Sequence, residues 1–511
     1  MMKNRSILLL VLAGIVLSCN GKKAPAVTET VPESVSQGKK VRGGELRFGL
    51  ASELATLDPL DPANTADGRS VLFNVYEGLV KPDTDGSLLP AVAESFSINQ
   101  NGLVYSFRIR EGVKFHDGTT VKAEDAQFTL TKAMEARYTG FTDIEKIEIT
   151  GEQELHLTLK NPDPDFLPYL TIGIVPKNNA DRNKNPIGTG PFRIESYTSQ
   201  QSLVLVRNSE YWRPELPYLD KVTLVFLADS DSLQIGLQGG NIDGASVTGS
   251  IISQMDLSRF EVVPGRSNMV QLLALNNEVK PLDNVLVRKA LNYAIDAQEI
   301  IDAAFYGWGE PSGSPIIPGL KAVYETALAE PYPRNLDTAA ELLAQAGYAG
   351  GFPLEITVPS NYSMHVNTAE VIVNQLSKIG ITATIRLVDW ASWLSDVYRG
   401  RKYQATIISF DGSTIPLSPR SFLGRYLSSA GGNLINFKNP EYDRVYSQAL
   451  KETEQDRRNS LYKEAQRILS GEAASVFIQD IMAFTVFVKP FKGALNYPLN
   501  VIDFSVIYRT E

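Results

Sequence analysis

The rarest reactive side chains come first, because they limit what chemistry the chain can do. Three histidines and one cysteine stand among 511 residues. His116 and Asp117 are adjacent in "YSFRIREGVKFHDGTTV", and a histidine beside a carboxylate is a familiar pair for proton transfer. On a strand, however, neighbouring side chains point to opposite faces. Asp117-Gly118 is also a strong turn signal, since both residues tolerate left-handed backbone angles. The segment is therefore a turn with a flanking histidine. His156 lies in the alternating stretch "ELHLTL" and is expected to face outward. His365 stands in "NYSMHVN", at an expected helix start. No HExxH, Walker A or GxSxG pattern occurs. "GTGPF" at Gly188–Phe192 is a turn rather than a phosphate loop, because Pro191 removes a donor and a strand follows. "GWGEPSG" at Gly307–Gly313 lacks dinucleotide spacing. A single cysteine excludes an intrachain disulfide and a cysteine-rich metal site. No catalytic residue, metal or cofactor is expected, and the remaining chemistry is binding.

The elements that must position a binding site are mixed. Hydrophobic residues make up 43% and charged residues 21%, the profile of a globular protein. The length implies two or three lobes. The net charge of -9 is spread along the chain, and no basic cluster suits nucleic acid. Tyr105, Phe107 and Ile109 alternate as in a half-buried strand, as do Ile381, Ala383, Ile385 and Leu387. Val287, Ala290, Leu291, Ala294 and Ile295 form a helical stripe. Ala369, Ile372, Val373 and Leu376 form another, closed by Gly380. Asp296 and Glu299 have the spacing of a capping box. Asp337 is placed to cap "TAAELLAQAG", which Gly347 closes. Interleaved helices and strands indicate an α/β protein.

The first 18 residues have a basic start (Lys3, Arg5) and an apolar run, Ile7–Leu17. That run is too short for a bilayer span, which needs about 20 residues, but suits an export signal. It ends in "VLSC", which resembles a bacterial lipobox with Cys19 as the lipidated residue. Export and attachment to a membrane through lipid on Cys19 are the expectation. Residues 19–42 are polar and aperiodic and read as a flexible tether, so folded structure is expected from about Gly43 or Gly44.

Several blocks then occur in a recognisable order. They are "GGELRFGLASELATLDP", "VLFNVYEGLV", "YSFRIREGVKFHDGTTVKAEDAQFTL", "NPIGTGPFRI" with "VRNSEYW", "NNEVKPLDNVLVRKALNYAID" and "LDTAAELLAQAGY". In this set the chain resembles the family 5 extracellular solute-binding proteins of ABC importers, which bind oligopeptides, dipeptides, nickel complexes and related solutes. The resemblance implies a two-lobed periplasmic-binding-protein-like fold of type II, with an extra subdomain and a ligand cleft between the lobes. Lobe I would comprise residues 43–80, 186–277 and 486–511. The subdomain, 81–185, would pack on it, and lobe II would span 278–485. The implied function is capture of a solute, foremost a peptide, by lobe closure and delivery to an ABC permease and ATPase complex. The protein is expected to work as a monomer on the extracytoplasmic face of a membrane. A second reading from the same scaffold is a surface lipoprotein acting as a sensor or interaction protein.

The binding residues follow from position and from the resemblance. Phe410 and Asp411 end the buried strand "ATIISF", at an edge where α/β ligands usually sit. Asn361 and Tyr362 follow "LEITVPS" and Glu53 and Leu54 follow "ELRFGLAS", in loops matching ligand-contacting loops of the family. Trp390 and Trp393 are candidates for an aromatic wall or for packing. Peptide-binding members carry a Trp and an Asp that pairs with the peptide's amino group. Anchored on "SPRSFL", those positions fall on Gly412 and Ile415 here. The solute therefore stays open between a peptide with a free amino terminus, a peptide held by its backbone, a sugar and another small molecule.

Overall fold

The computed structural model describes residues 39–511 except 65, 164, 228, 412–417 and 498–500. Cys19, Gly412 and Ile415 lie outside the described residues. The principal sheet has eleven strands. In chain order they are β1 (Glu45–Leu50), β2 (Phe192–Thr198), β3 (Ser202–Arg207), β4 (Lys221–Phe226), β5 (Gly244–Thr248) and β6 (Phe260–Leu275). They continue as β7 (Gly309–Pro311), β8 (Pro353–Pro359), β9 (Thr382–Val388), β10 (Ala405–Asp411) and β11 (Ser475–Val488). Across the sheet the order is β9-β8-β10-β6-β11-β5-β1-β4-β3-β2, with β7 also pairing to β11.

Two strands join the halves of this sheet. β6 has 16 residues and β11 has 14, and they run antiparallel. Their register runs from Phe260↔Val488 to Arg266↔Met482, breaks, and resumes at Val270↔Asp480. Asn268 sits in the break with φ of 57°, a left-handed angle that asparagine tolerates better than most residues. Beyond the break, side chains alternate between two cores. Val270, Leu272 and Ala274 join one with Phe410, Phe422, Tyr426 and Tyr462. Leu273 and Leu275 join the other with Val287, Leu291, Ile356 and Ile372. A strand with cores on both faces reads as a near-continuous apolar run, and "VQLLAL" is one. From Val270 onward the strand therefore serves both of these cores.

The segment around residues 93–159 builds its own four-stranded sheet, Ala93–Ile98, Val104–Ile109, Glu154–Leu159 and Ile144–Gly151 in spatial order. Its core gathers Tyr105, Phe107, Phe115, Leu130, Leu157 and Phe166. His156 faces outward between buried Leu155 and Leu157. His116 is structural. Its Nδ1 accepts from the Gly188 amide at 3.2 Å and its Nε2 donates to the Gly190 carbonyl at 3.1 Å. Burial pushes the imidazole down to about 4, and an Nδ1 that accepts from the Gly188 N–H agrees with that neutral ring. Asp117 Oδ1 accepts from the Thr119 amide and hydroxyl, and Gly118 takes φ of 85°. "FHDG" and "GTGPF" therefore fasten to each other. Gly188 also lies so near the Val75 carbonyl that a Cβ there would be 2.0 Å from its oxygen.

The sequence expectations need three corrections. β-structure begins at Lys40–Val41, which pairs with Thr510 and Arg509, so the end of the expected tether is part of the fold. The helix Leu336–Gln345 is capped by Asn335, whose side chain accepts from the Thr338 amide, and Asp337 lies in its first turn. β9 is an edge strand, so Leu387 is exposed although Ile381 is buried.

Candidate functional site

β8 runs parallel to β9 and to β10. The C-terminal ends of all three strands therefore open on one edge. From that edge come the loop carrying Asn361 and Tyr362, the turn carrying Trp390, and the end of β10 at Phe410 and Asp411. The Ser360 amide donates to the Val388 carbonyl at 2.8 Å, which holds the first two loops together.

The aromatic residues converge there. The Tyr362 ring meets Trp390 edge to face, 5.4 Å between centroids. Trp390 stacks on Trp393 at 5.0 Å with planes 4° apart. Trp393 is buried, and its indole N–H donates to Thr406 Oγ1 at 3.0 Å. That bond fixes the inner ring, and the inner ring positions the outer one. Trp390 remains 37% exposed. Trp393 is thus core, and Trp390 is the partner that stays open to solvent. Phe410 is buried and carries the Arg425 guanidinium over its face, 3.9 Å from the centroid. Asp411 closes β10 opposite Met269. Asn361 is exposed.

The two candidates after β1 are placed differently. Leu54 is packed into a core with Leu57, Val71 and Val75, so its side chain does not present a binding surface. The Glu53 carboxylate accepts from the Tyr197 hydroxyl and from the Gln200 amide at 3.0 Å, tying it to the β2–β3 hairpin. Among the described residues, no hydrogen bond or ion pair joins Glu53 or Leu54 to Tyr362, Trp390 or Phe410.

Sequence reasoning missed a polar group beneath this edge. Gln271, in the second half of β6, is fully buried. Its amide donates to His365 Nδ1 and Thr368 Oγ1, each at 3.1 Å, and its carbonyl accepts from Gln479 Nε2 at 2.9 Å. His365 lies in the first turn of the helix Ser363–Ser377, and burial pushes it down to about 4. An accepting Nδ1 agrees with that neutral ring. Asp480, next to Gln479, is also fully buried, and neither of its oxygens has a hydrogen-bond partner. The signal was present as polar letters inside apolar runs, Gln271 in "MVQLLAL" and Gln479-Asp480 in "VFIQDIM".

Two further contacts link the four-stranded segment to the second half of the sheet. Asp163 Oδ2 pairs with Arg420 Nη1 at 2.9 Å, and the Tyr462 hydroxyl donates to Asp165 at 2.7 Å. Burial raises both aspartates above the usual carboxylate range. Among the described residues, no cluster of three or more His, Cys, Asp or Glu side chains could hold a metal. Nor is any described helix long and apolar enough to cross a membrane.

Comparison with known proteins gives three findings. Residues 87–433 match the family profile described as bacterial extracellular solute-binding proteins, family 5 middle. The glutathione-binding protein GsiB of Shigella flexneri is 28% identical over 447 residues, covering 83% of this chain and 86% of that one. Among solved structures, the ABC transporter substrate-binding protein CtaP of Listeria monocytogenes superposes with a TM-score of 0.82 at 23% identity, covering 92% of this chain and all of that one. The periplasmic binding protein DppA of Helicobacter pylori, solved with the peptide STSA, gives 0.71 at 25% identity, covering 92% and 99%.

Proposed function

This chain belongs to the family 5 bacterial extracellular solute-binding proteins, and we propose that it holds its solute at the edge formed by Tyr362, Trp390, Phe410 and Asp411. Members of the family deliver peptides or similar solutes to ABC transporters, and this protein is such a receptor. The observation that carries the assignment is the family match over residues 87–433. The chemistry of the edge agrees with it. Aromatic faces and a few convergent polar groups at the carboxyl ends of parallel strands make a binding surface.

The peptide class is supported by the relatives' names, which record glutathione for one and the tetrapeptide STSA for another. In this reading residues 43–80, 186–269 and 482–511 form one lobe, with residues 81–185 packed beside it. The intervening region, which mixes helices and strands, forms the other, and β6 and β11 are the hinge. A solute that touches both lobes only when they are closed shifts the population toward closure by its differential affinity. No covalent step is required.

The site assignment is tested with the protein stripped of co-purified solute by unfolding and refolding. Mass spectrometry of the released material identifies the solute. Trp390→Ala is expected to weaken capture of that solute about tenfold, or about 1.4 kcal/mol, with little change in the melting temperature of the empty protein. Unchanged affinity would remove this edge from the site.

The lipid anchor on Cys19 belongs to the same proposal. It is supported by "VLSC" after an apolar run and by the extracytoplasmic work of the family. Cys19→Ala is expected to move the protein from the membrane pellet to the soluble fraction. A variant that still sediments with membranes would end that part of the reading.

A further inference from the structure

Asp480 is a fully buried carboxyl near the candidate site with no hydrogen bond to either oxygen. It lies on β11 directly opposite Val270 of β6 and Glu310 of β7. Val270 in turn lies opposite Phe410 of β10. Directly paired residues share a face of a sheet, so Phe410, Val270, Asp480 and Glu310 form one row across four strands. Asp480 is therefore two strand spacings, about 10 Å, from Phe410 on the face that carries it. It is also the last residue of β11 to pair with the second half of β6 before the register break.

Its surroundings do not neutralise it. Arg266 is the nearby cation, with Nε 3.9 Å from Asp480 Oδ2. That guanidinium is already engaged by Glu310, through Nε at 2.7 Å and through Nη2. The Met269 amide approaches the carboxylate without making a full hydrogen bond. Tyr324 and Glu310 complete the titratable groups around it, and Glu310 repels its charge. The strand break adds two more unpaired oxygens, Ser267 Oγ and Asn268 Oδ1. A buried carboxylate without a partner is costly, and a cation with several N–H donors is the group that removes the cost.

We propose that Asp480 is the counter-charge for a primary ammonium group of the solute, reached when the lobes close. This deepens the reading of the cleft as a peptide site and rests on it. The free protein holds Asp480 largely protonated at neutral pH, because burial raises its carboxyl to about 8. Pairing with an ammonium requires the ionised form. Binding at pH 7 therefore releases close to one proton per solute.

The test uses the full mature chain, stripped of solute, and two pooled tripeptide libraries. One library has free amino termini and the other is the same pool N-acetylated. Calorimetry is run in buffers of different ionisation heat. The free-amino pool is expected to bind at least tenfold more tightly and to release close to one proton. Asp480→Asn, nearly isosteric, should abolish both the preference and the proton release. The melting temperature of the empty variant should stay nearly the same, since a neutral amide replaces a largely neutral carboxyl of almost the same shape.

Equal binding of both pools to the parent protein would overturn the assignment while leaving the peptide receptor intact. No binding of either pool would overturn the peptide reading and this assignment with it. A preference retained in Asp480→Asn would place the ammonium elsewhere. Loss of proton release in Arg266→Gln, with the amino preference kept, would make Arg266 the partner of Asp480 on closure and would also overturn the proposal.

Discussion

Arg288→Met will lower the stability of the second half of the molecule by about 4 kcal/mol, since several buried carbonyls lose a charged donor at once. The residue is only 5% exposed, yet it bonds no carboxylate. Its guanidinium donates to four backbone carbonyls instead. These are Ala473 at 3.2 Å, Glu472 at 2.9 Å, Leu282 at 3.0 Å and Asp283 at 3.3 Å. Two of them end the helix Gln455–Gly471, where carbonyls have no partners in the helix itself and where a positive charge is favoured. Methionine fills much of the same space and satisfies none of the four. Chemical denaturation, followed by a probe in the second half, measures the loss. A change below about 1 kcal/mol, the scale of a single neutral hydrogen bond, would mean that water replaces the guanidinium.

Glu77→Ala should cost about 3 kcal/mol, since it strands several buried donors at once. The carboxylate is buried and receives the Tyr211 hydroxyl at 2.8 Å, the Trp212 indole N–H at 2.9 Å and the Thr189 hydroxyl at 3.4 Å. It thereby joins three stretches far apart in sequence. Burial is the largest influence and raises its carboxyl above the ordinary 4.5, against the pull of Lys81 and of those donors. The folded protein consequently binds this proton more tightly than the unfolded chain does. Its contribution to stability is greatest below pH 4.5 and declines as pH rises toward the folded-state value. Glu77→Gln should flatten that part of the stability–pH curve. A variant whose curve parallels the parent's would show that other groups set the slope.

Much of the fold was legible because it is written in periodicity. The strand β10 announced itself as a buried apolar run and the helix Val285–Ala294 as a stripe, whereas β1 was read from the family resemblance. His116 was readable as structural from Asp117-Gly118 alone, although its bonds to Gly188 and Gly190 were not, because they join segments more than seventy residues apart. The placement of the candidate residues was legible in part. Position after a strand found Tyr362 and Phe410, which the sheet topology brings to one edge. The same rule placed Leu54 at a surface, but in the fold that side chain completes a core. Local sequence shows where a strand ends, yet not which side of the following loop is covered. Asp480 went unnoticed because no rule of spacing links residue 480 to residue 410. Only the pairing of β10, β6 and β11 puts them in one row.

The pairing of β6 with β11 also governs how the molecule can be taken apart. Each strand contributes residues to cores on both sides of the register break, so a gene truncation that excised either half would cut both strands through. A protease nick in a single surface loop should leave fragments that still migrate together under native conditions. Reporter insertions for following closure belong in exposed turns away from this two-stranded ribbon, where they leave the connection between the halves whole.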